Sequence, residues 1–214
     1  MDDKEYDMEK VRLSLKEIMK KDMEDELLHG IKVCNLAFHF GKRLGLSYER
    51  AVELATAGLL HDMGKLQMSR HLYGRDKKSL EVEEIVRTRS HARITYDILI
   101  RYDYSDFVLE TILYHHENYD GTGYPRNLVA TDIPEGARML RVVDAFVTLT
   151  SHKAYRKAFD KQTAVELMIE EVKNFDMKYF LSFLKMIHEI DVDQVIAFEK
   201  MEIDMAMFGQ PLDL

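Results

Sequence analysis

The scarcity of proline is the feature that most constrains how this chain can fold. Only three prolines occur among its 214 residues, and none falls within the first 124 positions. Proline interrupts helices because it lacks a backbone N–H and its ring clashes with the preceding turn. Long proline-free stretches with apolar residues at three- and four-residue steps therefore predict an all-α protein.

The apolar spacing predicts a series of helices along the chain. One amphipathic helix is predicted over 2–26, and helical spacing resumes at Leu27 and runs to the glycines before Ser47, a candidate N-cap. Further helices are predicted over 48–62, 81–101, 105–117, 134–150, 161–173 and 176–200, with a loop over 66–80 and a tail from about 209. We therefore expect a helical extension (1–24), one helical domain (25–190) and a helical tail (191–214).

Charge and cysteine content narrow the class of function. The formal net charge of −8 argues against binding to a nucleic acid polymer or an anionic membrane, which requires a positive surface. A single cysteine, Cys34, excludes an intrachain disulfide and fits a reducing compartment. The charged N-terminus lacks the apolar core of a signal peptide, so a cytoplasmic location is expected.

Histidine and aspartate occur where an ionisable side chain needs a partner. His61 and Asp62 end an apolar helix, His115 and His116 are adjacent, and Asp144 lies inside the apolar run 142–147. A buried ionisable group requires compensation, and a metal ion is one way to supply it. Imidazole together with carboxylate suits Fe, Mn, Zn or Ni better than Ca or Mg alone.

The spacing of these residues permits a single metal centre. Intervals of 24 to 32 residues separate His29 from His61, Asp62 from His91, His91 from His115, and His116 from Asp144. Each interval is about the length of a helix, its connection and a returning helix, so the side chains can gather at one level of a bundle. Asp62 is the candidate bridge between two metals, where a bridging hydroxide would attack phosphorus in line.

Three segments resemble the HD-GYP family of the HD superfamily. Residues 61–65, HDMGK, resemble the HD-x-GK signature, and residues 115–125, HHENYDGTGYP, resemble HHE-x-x-DG-x-GYP. Residues 144–158, DAFVTLTSHKAYRKA, resemble the family segment DAFDALTS-x-RPYRKA. The second motif is long and highly specific, and the resemblance covers roughly residues 25–190.

The resemblance implies an HD-domain helical bundle that holds two or three divalent metal ions, usually iron or manganese. It implies hydrolysis of a cyclic dinucleotide, cyclic di-GMP to pGpG or GMP; some members prefer cyclic GMP-AMP. The metal ligands carried over by position are His29, His61, Asp62, His91, His115, His116 and Asp144. Asp25 is a further candidate, because family members with a third metal carry Glu at that position.

The resemblance also implies roles around the metals. Asp62 and Lys65 would be catalytic, with Lys65 holding a phosphate oxygen of the substrate. Gly123, Tyr124 and Pro125 would shape the substrate pocket, and Arg156 would contact guanine or phosphate. Glu117 and Asp120 would orient the histidines.

Two departures from the family pattern leave alternatives open. Residues 67–80 do not resemble the family's segment after HD-x-GK, and His152-Lys153-Ala154 replaces the usual residues before Tyr155. One alternative is a cyclic-dinucleotide receptor or scaffold that has lost turnover. Another is a phosphohydrolase for a different small phosphoester. The N-terminal helix is a candidate contact for a homodimer.

Overall fold

The described part of the computed structural model, residues 8–66, 80–152 and 156–196, consists of helices joined by turns. The helices are α1 (Met8–Arg43), α2 (Tyr48–Leu60), α3 (Leu80–Leu99), α4 (Asp106–Tyr114), α5 (Glu135–Thr150), α6 (Lys161–Glu170), α7 (Met177–Glu189) and α8 (Val192–Ile196). A helical turn covers 63–66, and 3-10 turns cover Ala130–Asp132 and Val172–Asn174. The predicted all-α class is confirmed. None of these described helices has the length and apolarity that a membrane span requires.

Several helix boundaries differ from those predicted. The helices expected over 2–26 and from Leu27 form one uninterrupted helix, α1, because no proline or strong breaker lies between them. The helix predicted over 176–200 stops at Glu189, and α8 begins after Asp191, whose carboxylate accepts a hydrogen bond from the backbone N–H of Gln194 at 3.2 Å.

Some predictions fall on residues outside the described ranges. These include the first residues of the N-terminal helix, the loop over 67–79, and the tail from 197 onward. The domain boundaries and the homodimer contact through the N-terminal helix stay predictions.

Helix α5 lies centrally among the helices and carries much of the core. It contacts α1, α2, α4, α6 and α7. Phe146 of α5 and Phe40 of α1 each pack edge-on against Phe183 of α7, with ring centroids 5.4 Å apart in both pairs. All three rings are fully buried. This packing fixes the position of Asp144, which lies half a turn before Phe146 on the same helix.

Helices α1 and α2 approach closely at a glycine. Ser47 caps α2 as predicted, because its hydroxyl accepts a hydrogen bond from the backbone N–H of Arg50 at 3.1 Å. A Cβ atom at Gly30 of α1 would lie 2.6 Å from the carbonyl oxygen of Leu59 in α2. Only glycine permits this approach, which brings His29 beside the residue that follows α2, His61.

We expect Gly30→Ala to destabilise the protein by about 1–3 kcal/mol, because α1 must move away from the α2 backbone. Gly41→Ala on the same helix is the matched control, since its Cβ would have 3.3 Å to the nearest atoms of Ala51 and Leu46. Alanine has a higher helix propensity than glycine, and this gain offsets part of the cost of the tight contact. The control should therefore change the free energy of unfolding by less than about 1 kcal/mol. Urea unfolding of both variants provides the measurement, and equal losses would contradict the proposed contact.

Candidate metal centre

Seven histidine and aspartate side chains converge where α1, α3 and α5 meet the turns after α2 and α4. All are buried except His116, which is half-buried. They form two adjoining groups whose ligand atoms lie within 4.8 Å of one another in each group. The first group is Asp62, His91, His115 and His116, and the second is His29, His61 and Asp144. These are the seven positions that the sequence singled out as metal ligands.

The carboxylate of Asp62 faces both groups. Its Oδ1 lies 3.1 Å from Nε2 of His91, in the first group. Its Oδ2 lies 3.2 Å from Nε2 of His61 and 3.8 Å from Nε2 of His29, in the second group. One carboxylate is therefore shared between the two sets of imidazoles, which is the arrangement that a bridging ligand requires.

Asp144 completes the second group from the α5 side. Its Oδ1 lies 3.1 Å from Nε2 of His29 and 3.5 Å from Nε2 of His61. The hydroxyl of Thr148, one turn further along α5, lies 3.3 Å from the same oxygen and donates to it. The carboxylate that the sequence places within an apolar run is thus surrounded by polar partners.

Backbone carbonyls orient two of the imidazoles. Nδ1 of His61 lies 2.8 Å from the carbonyl oxygen of Gly58, and Nδ1 of His115 lies 2.6 Å from that of Ile112. Because a carbonyl only accepts, Nδ1 carries the proton and donates in both pairs. Nε2 of each ring therefore faces the centre, and this is the atom through which such oriented histidines ligate metals.

The spacing of the ligand atoms fits a metal better than a set of direct hydrogen bonds. Nε2 of His91 lies 3.0 Å from Nε2 of His116. Ligand atoms about 2.1 Å from a common metal lie about 3.0–3.4 Å apart at neighbouring vertices. Among the described residues, Nε2 of His61, Nε2 of His115 and Oδ1 of Asp62 are buried and make no hydrogen bond of good geometry. Buried polar atoms without partners are rare, and a cation would satisfy them.

The centre attracts positive charge. Burial would lower the pKa of His61, but the carboxylates of Asp62 and Asp144 outweigh it and raise that pKa to about 10. Burial opposes ionisation of Asp62, yet His61 and Lys65 hold its pKa well below the usual range. Burial and the neighbouring imidazoles keep the pKa of His115 well below its ordinary value, so this ring is neutral. Two anionic carboxylates beside five imidazoles form a donor set suited to transition metals, and the raised pKa of His61 reflects how strongly the carboxylates favour a cation at this place.

Thr95 ties the turn after α2 to α3, and sequence analysis missed it. Its fully buried hydroxyl accepts a hydrogen bond from the backbone N–H of Gly64 at 2.8 Å. The same oxygen lies 2.9 Å from the carbonyl oxygen of His91 and 3.1 Å from that of His61. A single hydroxyl therefore sets the separation of two candidate ligands that lie 30 positions apart in sequence.

The loop that contains the Gly-Tyr-Pro segment folds back onto the centre. A Cβ at Gly123 would overlap the backbone of His116 and Asn118, so glycine is required for this approach. The ring of Tyr124 stacks on the imidazole of His116, with centroids 4.7 Å apart and an interplanar angle of 27°. Tyr124 thus lies against the centre, as expected for a wall of the pocket, whereas Pro125 is exposed.

Glu117 and Asp120 contact the loop rather than the histidines. The buried carboxylate of Glu117 accepts hydrogen bonds from the backbone N–H of Arg126 at 2.7 Å and of Leu128 at 3.0 Å. Asp120 is exposed and accepts from the backbone N–H of Thr122 at 3.0 Å. The expectation that they orient imidazoles does not match these contacts, because backbone N–H groups of the turning loop compete for the carboxylates.

Lys65 lies at the centre, whereas Arg156 and Asp25 are engaged elsewhere. Nζ of Lys65 is 2.5 Å from Oδ2 of Asp62 and 3.7 Å from Oε2 of Glu26. The guanidinium of Arg156 donates to the carbonyl oxygens of Leu149 at 3.0 Å and Thr148 at 2.9 Å, so it caps the end of α5. Asp25 is exposed and belongs to neither group; the helix phase turns Glu26 toward Lys65 instead.

A second residue that sequence analysis missed is Arg141. It is half-buried on α5, one turn before Asp144. Its Nε and Nη2 donate to Oδ1 of Asn118 at 3.2 and 3.1 Å. An isolated cation between Leu140 and Val142 was the available signal, since the same reasoning identified Asp144.

Comparisons with known proteins agree with this geometry. A family model of the HD domain matches residues 12–179. The cyclic di-GMP phosphodiesterase PA4108 of Pseudomonas aeruginosa is 31% identical over 184 residues, covering 85% of this chain and 44% of PA4108. The 3'3'-cGAMP-specific phosphodiesterase 1 of Vibrio cholerae is 33% identical over 144 residues. The matched region covers 67% of this chain and 33% of that relative. This chain therefore spans less than half the length of these relatives.

Solved structures share the fold. Bd1817, a HDG"Y"P protein from Bdellovibrio bacteriovorus, superposes with a TM-score of 0.60 at 21% identity. The superposition covers 77% of this chain and 53% of the Bd1817 chain. Fold and site together define an all-helical protein with a buried histidine–aspartate centre able to hold metal ions. Because the family model matches more than half of the chain, the protein belongs to the HD domain family, and the recognition from sequence is confirmed.

We expect Thr95→Val to reduce the free energy of unfolding by about 1–3 kcal/mol, because it leaves the buried N–H of Gly64 without an acceptor. It should also lower the affinity for Mn²⁺, since His61 and His91 lose their common hydroxyl. Thr95→Ser keeps the hydroxyl and is the matched control. Urea unfolding and Mn²⁺ titration are the measurements; a Val variant that behaves like the Ser variant in both would refute the role of the hydroxyl.

Proposed function

We propose that this protein is a metal-dependent phosphodiesterase that hydrolyses a cyclic dinucleotide, with cyclic di-GMP as the first candidate and pGpG or GMP as the product. The convergence of the seven side chains around a shared Asp62 carboxylate carries this proposal. A receptor that had lost turnover would have no need to retain every member of the set.

Two divalent metal ions, iron or manganese, fit the two groups of ligands. His91, His115 and His116 would hold one ion, and His29, His61 and Asp144 the other. Asp62 would bind both, since its two oxygens face different groups. The exposed position of Asp25 does not favour a third ion held by that residue.

The bound metals would acidify a water molecule and neutralise charge on the phosphoryl group. The chain's own residues prepare the site for that chemistry. The carbonyls of Gly58 and Ile112 hold His61 and His115 in the tautomer that leaves Nε2 free. Lys65 is protonated, because Asp62 and Glu26 overcome the effect of burial and raise its pKa. Its ammonium is placed to bind a phosphate oxygen beside Asp62.

The names of the relatives support the class of substrate. PA4108 is a cyclic di-GMP phosphodiesterase, and the Vibrio cholerae relative is specific for 3'3'-cGAMP. Tyr124, stacked on His116, offers an aromatic wall next to the centre. The choice between the two dinucleotides, and a cytoplasmic location consistent with the single cysteine, stay predictions.

The deciding experiment is hydrolysis of cyclic di-GMP and of 3'3'-cGAMP by protein purified anaerobically, with iron and manganese counted on the same sample. Turnover with about two metals per chain is the expected result. If the fully metallated protein binds either dinucleotide without cleaving it, the protein is a receptor and not an enzyme. Turnover of simple phosphoesters alone would point to a different phosphohydrolase.

We expect Asp62→Ala to abolish both metal retention and hydrolysis, because it removes the carboxylate shared by the two groups. Asp97→Ala is the matched control, since Asp97 is exposed and pairs with Arg93 at 2.9 Å. Metal content by elemental analysis and turnover of cyclic di-GMP are the readouts. Two metals and normal turnover in the Asp62 variant would eliminate the proposed bridge.

We expect Lys65→Ala to keep its metals but to slow hydrolysis by roughly 10- to 100-fold, since a charged hydrogen bond to phosphate is lost. Lys173→Ala is a suitable control, because Lys173 is exposed and its Nζ lies 3.9 Å from the Asp120 carboxylate. Unchanged kinetics in the Lys65 variant would remove this residue from the mechanism.

A further inference from the structure

Arg141 is a cation near the centre without an acidic partner. None of the ion pairs formed among the described residues involves Arg141, although Arg43, Arg50, Arg93 and Arg138 each pair with a carboxylate. Burial lowers the pKa of Arg141, while Asp144 opposes that effect from a distance. A half-buried guanidinium is costly when no anion compensates it, so this position favours the binding of an anion.

The hydrogen bonds of Arg141 leave part of its guanidinium available. Nε and Nη2 both donate to one atom, Oδ1 of Asn118. The amide nitrogen of Asn118 donates in turn to the hydroxyl of Thr122 at 3.0 Å, so Asn118 is fixed by both neighbours. The guanidinium also lies over the ring of Phe175, 5.5 Å from its centroid. Among the described residues, Nη1 has no hydrogen-bond acceptor, so two N–H groups remain for a ligand.

Arg141 and Lys65 approach the pocket from different elements. Lys65 belongs to the turn after α2 and contacts Asp62. Arg141 belongs to α5 and contacts the loop that carries Tyr124. Burial and Asp62 raise the pKa of Tyr124, and both cations oppose that rise, so its hydroxyl lies within electrostatic reach of each. Two positive charges from separate elements therefore act on Tyr124.

We propose that Arg141 binds the second phosphate of the cyclic dinucleotide, the one that is not being cleaved. A cyclic dinucleotide carries two phosphodiesters, and Lys65 with the candidate metal centre serves only one of them. A guanidinium with two free N–H groups matches the oxygens of a phosphate. Phosphate is preferred to a guanine edge because an anion, unlike a neutral base, also compensates the buried charge.

This proposal rests on the proposed function and assigns Arg141 to specificity for dinucleotides over single phosphodiesters. Arg141→Ala should raise the KM for cyclic di-GMP about tenfold or more while kcat changes by less than about threefold. Hydrolysis of bis(p-nitrophenyl) phosphate, which has one phosphodiester, should be unchanged, as should metal content. The salt dependence of KM should become shallower, because the lost contact is ionic.

Matched variants separate this role from anchoring of the loop. Arg43→Ala, which removes an exposed arginine paired with Glu189 at 2.6 Å, should leave every readout at the wild-type value. Asn118→Ala keeps the guanidinium and should raise KM less than Arg141→Ala does. An equal effect of the two variants, an equal loss on bis(p-nitrophenyl) phosphate, or an unchanged salt dependence would each overturn the proposal.

Different measurements test the phosphodiesterase proposal and the role of Arg141. If metallated wild-type protein cleaves neither cyclic di-GMP nor 3'3'-cGAMP, the phosphodiesterase proposal fails. Arg141 is then tested by calorimetric binding of cyclic di-GMP to the same protein. A Kd raised about tenfold in Arg141→Ala supports the phosphate contact, and an unchanged Kd overturns it.

Discussion

The structure must compensate the negative charges of two buried carboxylates, those of Asp62 and Asp144. Burial alone would raise the pKa values of Asp62 and Asp144. His61 and the Lys65 ammonium lower the pKa of Asp62, and His29 and His61 lower that of Asp144, so both acids stay ionised. Removing two negative charges from water is expensive unless positive charge and hydrogen-bond donors converge on them. The donors and cations converge where α1, α3 and α5 meet two turns. On the same helix as Asp144, the fully buried ring of Phe146 packs against Phe183.

The fold class was predictable from helical periodicity, whereas the group of seven side chains was predicted from the resemblance to the HD-GYP pattern, with a spacing that permits one centre. Helix-length intervals bring side chains to one level, and that argument does not depend on the path of any loop. The predictions for Glu117, Asp120 and Arg156 relied on loop geometry, and the structure gives these residues backbone partners instead. Their side chains satisfy N–H and C=O groups that the turning chain leaves without helical partners.

Residues missed by the sequence analysis fall into two kinds. Arg141 was detectable, since a cation within the apolar stretch of α5 is as unusual as the carboxylate of Asp144 in the same helix. Thr95 was not, because threonine in a helix commonly bonds to the carbonyl four residues earlier, as Thr95 does with His91. Its distinguishing contact, the N–H of Gly64, depends on how α3 docks against the turn after α2.

The stacking of Tyr124 on His116 joins two surfaces that are usually considered separately. The Nε2 edge of the imidazole belongs to the candidate metal centre, and one face of the ring is covered by Tyr124. Because the two rings are in contact, the side chain at position 124 also takes part in the packing that orients a candidate metal ligand.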